Sequence, residues 1–162
     1  MGEVGIGFNR AWRMRLTAAT DANIDKLTQT YALLSYRGQD KHLLNVHYAK
    51  HEDDPGLPDL EQAGVSFAWP VSRQWRLLGS LVEDLKGNAI IRALAGVEYD
   101  SCCWRLRLGA RRYVVDSPDI DTIKTDTAVL IQLELKGLGG LGQQADRQFE
   151  RDILGFSSFQ AD

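Results

Sequence analysis

Two adjacent cysteines, Cys102 and Cys103, are the residues best suited to covalent chemistry, and the sequence contains no others. Neighbouring Cα atoms lie about 3.8 Å apart, which is below the usual span of roughly 4.4–6.8 Å across a disulfide. A bond between the two would therefore be strained. Either both thiols are reduced, or they form disulfides with cysteines outside these residues.

The other reactive residue types form no catalytic or metal-binding constellation. His47 and His51 are four residues apart on a predicted strand, which places them on one face about 13 Å apart, too far for a single metal ion. No Ser/His/Asp arrangement can be assembled, so we predict a protein that is not an enzyme, with no catalytic residue, metal or cofactor. Acidic residues in two predicted loops are expected to be solvated or to face divalent ions; they are Asp53, Asp54, Asp116 and Asp119.

Alternation of apolar and polar residues with a period of two dominates the chain and predicts strands. It is clearest over residues 128–136, where Val129 and Ile131 share one face while Gln132 and Glu134 share the other. The fold class predicted is all-β, an antiparallel up-and-down meander of about eight long strands. Their predicted ranges are 12–20, 26–36, 42–51, 60–69, 74–84, 89–99, 103–113 and 128–136. Residues 146–154 alone look helical.

The strand lengths favour a membrane barrel. Strands of soluble proteins usually have about 5–6 residues, whereas a tilted membrane-spanning strand needs about 9–11. Many of the polar faces are charged, which suits a water-filled lumen better than a dry core. The alternative is a soluble sheet with its charged face in water. Apolar runs are far too short for a membrane helix of about 20 residues.

The predicted connections differ at the two ends of the strands, as in outer-membrane barrels. Those at 37–41, 70–73 and 99–102 are short, and most of the others are longer. We therefore expect the short turns, the cysteine pair and the C-terminus to be periplasmic, an oxidising compartment that favours external disulfide partners. The four tryptophans fall near predicted strand ends, as an interfacial girdle requires; they are Trp12, Trp69, Trp75 and Trp104.

Two stretches, residues 96–113 and 130–142, closely resemble one family. The first contains the run Tyr99-Asp100-Ser101-Cys102-Cys103-Trp104, and the second contains a glycine-rich end after Lys136. Both are similar to the C-terminal barrel region of the LPS-assembly outer-membrane proteins, the LptD (OstA, Imp) family of Gram-negative bacteria. The resemblance covers nearly the whole chain. It makes residues 1–137 part of a larger outer-membrane β-barrel that begins mid-strand, and residues 138–162 a C-terminal periplasmic tail.

The resemblance implies transport of lipopolysaccharide and its insertion into the outer leaflet of the cell outer membrane. The partners it implies are lipopolysaccharide, a plug lipoprotein of the LptE type, the barrel-insertion machinery and a periplasmic LPS-bridge protein that contacts an N-terminal jelly-roll domain. It implies disulfides from Cys102 and Cys103 to cysteines outside this chain. The predicted last strand becomes one lip of a lateral gate; its residues are Ala128, Val129, Leu130, Ile131, Gln132, Leu133, Glu134, Leu135 and Lys136.

Three arginines, Arg105, Arg107 and Arg111, are then expected to face the lumen. Cross-strand pairing with acids such as Glu98 and Glu134 is favoured over contacts with the plug lipoprotein or with lipid phosphates. Two other functions stay open. One is a self-contained small outer-membrane barrel such as a lipid-modifying enzyme, and the other is a soluble lipid-binding β-barrel. With 19 basic and 22 acidic residues among 162, the charge balance gives no reason to expect nucleic acid binding.

Overall fold

The structure is a computed structural model that describes residues 2–21, 26–51, 59–115, 124–137, 139–141 and 143–156. Nine strands of 6 to 12 residues are followed by a short strand and one helix. The strands are β1 (Gly2–Gly7), β2 (Trp12–Asp21), β3 (Lys26–Arg37), β4 (Leu43–His51), β5 (Leu60–Pro70), β6 (Trp75–Asp84), β7 (Ala89–Asp100), β8 (Trp104–Val115), β9 (Lys124–Leu135) and β10 (Gly139–Leu141). The helix α1 spans Gln143–Asp152.

All ten strands form one antiparallel sheet in sequence order from β1 to β10, which confirms the predicted meander. Each predicted strand is found, with bounds that differ by two residues at most except in β9. The prediction that this strand begins at Ala128 is wrong, because β9 already pairs with β8 from Lys124. Residues 125–127 are all polar, so hydrophobic alternation does not mark them.

The pairing register gives the sheet two chemically different faces. Asn45, Ser66 and Ser80 lie opposite one another on β4, β5 and β6, and all three are buried. Helix α1 packs on this face, which we call the covered face. The other face, which we call the open face, carries exposed aliphatic side chains along most strands. These include Ile6, Leu16, Val46, Leu77, Leu81, Leu108, Val129 and Ile131.

Aromatic rings border the open face at the end of the sheet where the connections are short. Trp75 contacts Tyr99 at 4.9 Å between ring centroids, and Tyr99 contacts Trp104 at 5.0 Å. Two similar pairs continue the row, Trp12 with Tyr36 and His42 with Trp69. All four tryptophans thus lie at one end and on one face, and the prediction that they lie near strand ends is confirmed.

The core of the described chain lies between α1 and the covered face. Phe149, Ile153 and Phe156 are fully buried against a group of side chains from β4 to β7, namely Leu43, Ala68, Leu78 and Leu94. Phe149 lies in α1, whereas Ile153 and Phe156 lie in the turn that follows it. Within the range predicted as a tail, Gly139–Leu141 therefore pair with β9, and Phe149, Ile153 and Phe156 pack on the sheet.

A cross-strand pair of glycines forms the surface that receives Phe149. Gly96 and Gly109 lie opposite each other on β7 and β8. A Cβ atom at Gly109 would lie 2.9 Å from Phe149 Cζ, and one at Gly96 would lie 3.2 Å from Phe149 Cε1. The ring can approach the backbone because both positions lack a side chain. No helix in the described part of the chain is both long and apolar enough to cross a membrane.

Candidate functional site

Arginines and acids alternate across the covered face near the short connections. Neighbouring strands place Arg76 opposite Glu98, Glu98 opposite Arg107, and Arg107 opposite Gln132. Asp100 lies opposite Arg105 in the next row, and Arg105 lies opposite Glu134. Directly opposed side chains lie about 4.5–5.5 Å apart at Cβ, so these rows bring opposite charges into contact.

Arg107 is the centre of this network and its side chain is fully buried. Its Nε donates to Glu98 Oε2 at 2.6 Å, and its Nη1 donates to Gln132 Oε1 at 2.7 Å. The guanidinium also lies 4.9 Å from the centroid of the Phe156 ring, a cation–π distance. A second arginine, Arg76, donates to Glu98 Oε1 at 2.7 Å. Burial of Arg107 is thus accompanied by a charged partner, a polar partner and an aromatic ring.

Arg105 lies one row closer to the strand ends and is bound by two carboxylates. It donates to Asp100 Oδ2 at 3.1 Å and to Glu134 Oε2 at 3.1 Å. The predicted cross-strand pairing is therefore confirmed for Arg105 and Arg107. Arg105, Arg107 and Arg111 share the covered face, while the prediction that this face lines a lumen stays a prediction.

Arg111 binds an acid that the sequence did not point to. Its Nε donates to Asp152 Oδ2 at 2.8 Å, and Arg92 Nε lies 3.2 Å from Asp152 Oδ1. Asp152 ends α1 and its side chain is buried. The partner of Arg111 is thus a helix residue rather than a strand residue, and the expected strand pairing is wrong here. The ion pairs hold the end of α1 on the sheet.

The two cysteines form the tip of the tight turn between β7 and β8. Ser101 N–H donates to Trp104 O at 2.9 Å and closes the turn, while Lys136 N–H donates to Cys103 O at 2.9 Å. Lys136 Nζ also donates to Ser101 O at 2.6 Å. Both cysteines are free thiols and exposed, with 2.7 Å between their sulfur atoms. A partner can therefore reach either sulfur without disturbing the strands.

The two thiols influence each other's ionisation in opposite directions. A hydrogen bond from Cys103 lowers the pKa of Cys102, with a smaller contribution from the charge of Lys136. The pKa of Cys103 is raised, because its proton is engaged in that hydrogen bond and a thiolate at Cys102 would repel a second negative charge. As the pH rises, Cys102 is therefore the first of the two thiols to lose its proton and become a nucleophilic thiolate.

The predicted gate strand lies near one edge of the sheet. β9 is the last long strand, and β10 pairs with it over Leu133–Leu135. Within the described part of the chain, residues 124–132 of β9 have no strand partner on that side. Val129 is 74% exposed and Ile131 is 60% exposed, both on the open face.

The remaining predicted sites gain no support as chemical centres. His47 and His51 both lie on β4. Among the described residues, no group of three or more His, Cys, Asp or Glu side chains could hold a metal ion. Asp53, Asp54, Asp116 and Asp119, considered above as ion-facing acids, lie outside the described residues.

The packing of the C-terminal segment on the sheet is the feature that the sequence does not predict. The sequence indicates a helix over residues 146–154, and α1 spans Gln143–Asp152, but no local pattern shows that Phe149, Ile153 and Phe156 are buried against the covered face. Likewise nothing in the sequence identifies Asp152 as the partner of Arg111, since an acid at a helix end is ordinarily solvated.

Comparison with known proteins gives a consistent result. The chain is 35% identical over 156 residues to the LPS-assembly protein LptD of Nitrosococcus oceani, which is 96% of this chain and 20% of that protein. It is 30% identical over 152 residues to the LPS-assembly protein LptD of Acinetobacter baumannii, covering 92% of this chain and 18% of that protein. The protein of the same name from Alcanivorax borkumensis is 37% identical over 97 residues, 60% of this chain and 13% of that protein. No protein-family model matches the chain.

The long meander with one apolar and one charged face, together with these relatives, defines the class. The chain belongs to the LPS-assembly protein LptD family. It spans about a fifth of the length of the curated relatives it matches. The name of the relatives describes assembly and mentions no catalytic activity.

Proposed function

We propose that this chain is the C-terminal barrel region of a protein that transports lipopolysaccharide and inserts it into the outer leaflet of the outer membrane. It would act without catalytic chemistry, by providing a polar path beside a lipid-facing wall. The observation that carries this proposal is the division of the sheet into an exposed aliphatic face and a charged, hydrogen-bonded face. A soluble lipid-binding barrel would place its apolar side chains on the enclosed face instead.

The burial of the charged network supports this orientation. Glu98 is 1% exposed and Arg107 fully buried, while aliphatic residues on the opposite face are exposed. In water this arrangement is unfavourable, because the aliphatic side chains are exposed to solvent. In a bilayer the same side chains contact lipid tails. The tryptophan row at one edge of the open face is where an interface between lipid and water would lie.

The strand Ala128–Lys136 is proposed to form one lip of the lateral gate. Support comes from the edge position of β9, where β10 pairs with the last residues of the strand alone. An unpaired strand edge in a bilayer leaves backbone N–H and C=O groups without partners. A complementary strand edge or a passing ligand would therefore compensate them. The exposed side chains of Val129 and Ile131 would contact lipid acyl chains at this opening.

Cys102 and Cys103 are proposed to form disulfides with cysteines outside this chain. The exposure of both thiols and the tight, anchored turn support this, since a partner can approach from the strand ends. By the same reasoning the short connections and the C-terminus would be periplasmic. A plug lipoprotein, a periplasmic LPS-bridge protein and the barrel-insertion machinery are the proposed partners.

The transport function is tested by depletion and complementation. Cells whose chromosomal copy of the whole protein is switched off are supplied with a plasmid copy, and lipopolysaccharide at the cell surface is measured by protease- and antibody-accessible labelling. The wild-type copy is expected to restore surface lipopolysaccharide. Unchanged surface lipopolysaccharide on depletion of the protein would contradict the proposal.

The gate is tested by in vivo photo-crosslinking at single positions of the open face. A photoreactive phenylalanine analogue replaces Ile131 on β9 or Val46 on β4, which is 45% exposed on the same face. Lipopolysaccharide adducts are expected at Ile131 and not at the matched control Val46. Equal adducts at both positions would refute a gate at β9 while leaving the membrane orientation intact.

A further inference from the structure

A cavity at the β1–β3 side of the covered face is lined by three arginines. It has a volume of about 490 Å³, and Arg13, Arg15 and Arg37 all line it. Arg13 and Arg15 are two residues apart on β2 and so share the covered face, and Arg13 lies opposite Ser35, two residues before Arg37 on β3. Its size is within the range of pockets for small ligands, roughly 300–1,000 Å³.

Two of the three arginines, Arg13 and Arg37, have no carboxylate partner among the residues that line the cavity. Within the described part of the chain, no aspartate or glutamate is among its lining residues. Arg13 and Arg37 form no ion pair with any described residue, whereas on the β6–β9 side Arg76, Arg105 and Arg107 each contact a carboxylate. Two guanidinium groups without a carboxylate partner at one cavity favour binding of an anion, because its charge compensates theirs.

The walls of the cavity leave room for such an anion. Gly5 and Gly7 on β1 lie opposite Arg15 and Arg13, and a Cβ atom at either glycine would meet no atom within 4 Å. The segment after α1 forms another wall, because Asn45 Nδ2 donates to Leu154 O at 3.0 Å. Gly155, with a φ of 79°, lies beside Arg37, since a Cβ atom added at this glycine would clash with Arg37 Nη2. The cavity is therefore built from three sides around its arginines.

We propose that this cavity binds a phosphate monoester group, with Arg13 and Arg37 as its principal ligands and Arg15 beside them. Guanidinium groups bind phosphate through paired N–H donors, and several around one site match its double negative charge. The inference rests on the proposed function, since a phosphorylated saccharide lipid passing the covered face would supply the group. Free inorganic phosphate has the same chemistry and is the other source.

The test measures binding to the whole protein purified in detergent, by isothermal titration calorimetry with two probes. The probes are inorganic phosphate and a diphosphorylated glucosamine lipid, with the dephosphorylated lipid for comparison. Replacing both Arg13 and Arg37 by glutamine is expected to weaken binding of a phosphate-bearing probe by about tenfold or more for each guanidinium removed. The matched control Arg73→Gln, an exposed arginine in the turn after β5, is expected to bind as the wild type does.

Each outcome decides between the alternatives. If the double variant loses binding of the phosphorylated lipid and no longer prefers it over the dephosphorylated lipid, the phosphate group is carried by a lipid. If the double variant loses binding of inorganic phosphate alone, the ligand is the free ion. Equal binding by the wild type, the double variant and the control would overturn the site. Arg13→Lys, which keeps the charge and loses the paired donors, is expected to fall between the wild type and Arg13→Gln. Thermal melting identifies any variant that fails to fold.

Failure of this proposal and failure of the transport function can be told apart. If the double variant binds phosphate as the wild type does while depletion still abolishes surface lipopolysaccharide, the cavity assignment is wrong and the transport function stands. If depletion leaves surface lipopolysaccharide unchanged but phosphate binding depends on Arg13 and Arg37, the anion site stands and its physiological source is not lipopolysaccharide.

Discussion

Replacing Glu98 by glutamine removes the carboxylate that contacts two arginines at the centre of the covered face. The fully buried Arg107 would lose its 2.6 Å ion pair with Glu98 and keep its contacts with Gln132 and the Phe156 ring. Arg76 would lose its 2.7 Å ion pair as well. Removing one partner of a buried ion pair costs about 3–5 kcal/mol of stability, because the charge of the other partner stays desolvated. We expect Glu98→Gln to lower the free energy of unfolding by about that amount.

Replacing Arg107 is expected to lower the free energy of unfolding by less than replacing Glu98 does, because Glu98 has other arginines nearby. In Arg107→Met, Glu98 keeps Arg76 at 2.7 Å and has Arg105 at 4.0 Å. Its charge is therefore still compensated, and the loss is that of charged hydrogen bonds, about 1.5–3 kcal/mol. The double variant should cost less than the sum of the two single changes, since neither partner is then left alone.

The assay is urea unfolding of the whole protein in detergent, followed by the gel mobility difference between folded and unfolded barrels. Glu134→Gln is the matched control, because Glu134 is 35% exposed and Arg105 keeps Asp100 as a partner. Its cost should stay below about 1 kcal/mol. A smaller effect for Glu98→Gln than for Glu134→Gln, or a larger effect for Arg107→Met than for Glu98→Gln, would refute this reasoning.

Three further predictions concern the helix and the cysteine turn. Phe149→Ala empties the surface formed by the paired glycines and should cost about 3–5 kcal/mol in urea unfolding, whereas exposed Arg147→Ala should change it little; equal costs would disprove the packing role. Gly155→Ala should cost about 1–2 kcal/mol in the same assay because its positive φ disfavours a side chain, and a neutral result would contradict the geometry. With both thiols reduced, alkylation of Cys102 should begin at a lower pH than that of an ordinary cysteine. Cys103→Ser should move that onset upward and Cys102→Ser should move the onset for Cys103 downward, and unchanged profiles would exclude their hydrogen bond.

The strands could be predicted because a two-sided sheet repeats its chemistry every second residue. In β9, Val129 and Ile131 face one way while Gln132 and Glu134 face the other, so the period alone identifies the strand. The same period assigned Arg105, Arg107 and Arg111 to one face. Where both faces are polar, as at residues 125–127, the period carries no signal, which is why the sequence predicts a start at Ala128 although β9 begins at Lys124.

The helix contacts and the arginine cavity bring together residues that are far apart in sequence, and a local sequence pattern does not encode such contacts. Asp152 and Arg111 are 41 residues apart, and either residue alone is an ordinary surface charge. Arg13 and Arg37 come from different strands, and the cavity between them also needs Gly5, Gly7 and the backbone of Gly155. Such a set becomes visible when the register and the position of the C-terminal segment are known.

The orientation of the sheet is tested most directly by spin labels on adjacent residues of β9. In a variant of the whole protein with every native cysteine replaced by serine, a label is attached through a new cysteine at position 129 on the open face or at position 128 on the covered face. The labelled protein is then placed in lipid vesicles. At position 129, the label should collide often with dissolved oxygen and rarely with a water-soluble nickel complex. At position 128, it should collide more often with the nickel complex than with oxygen. Frequent collision of the nickel complex at 129, or a reversed pair of preferences, would contradict the assignment of the open face to lipid.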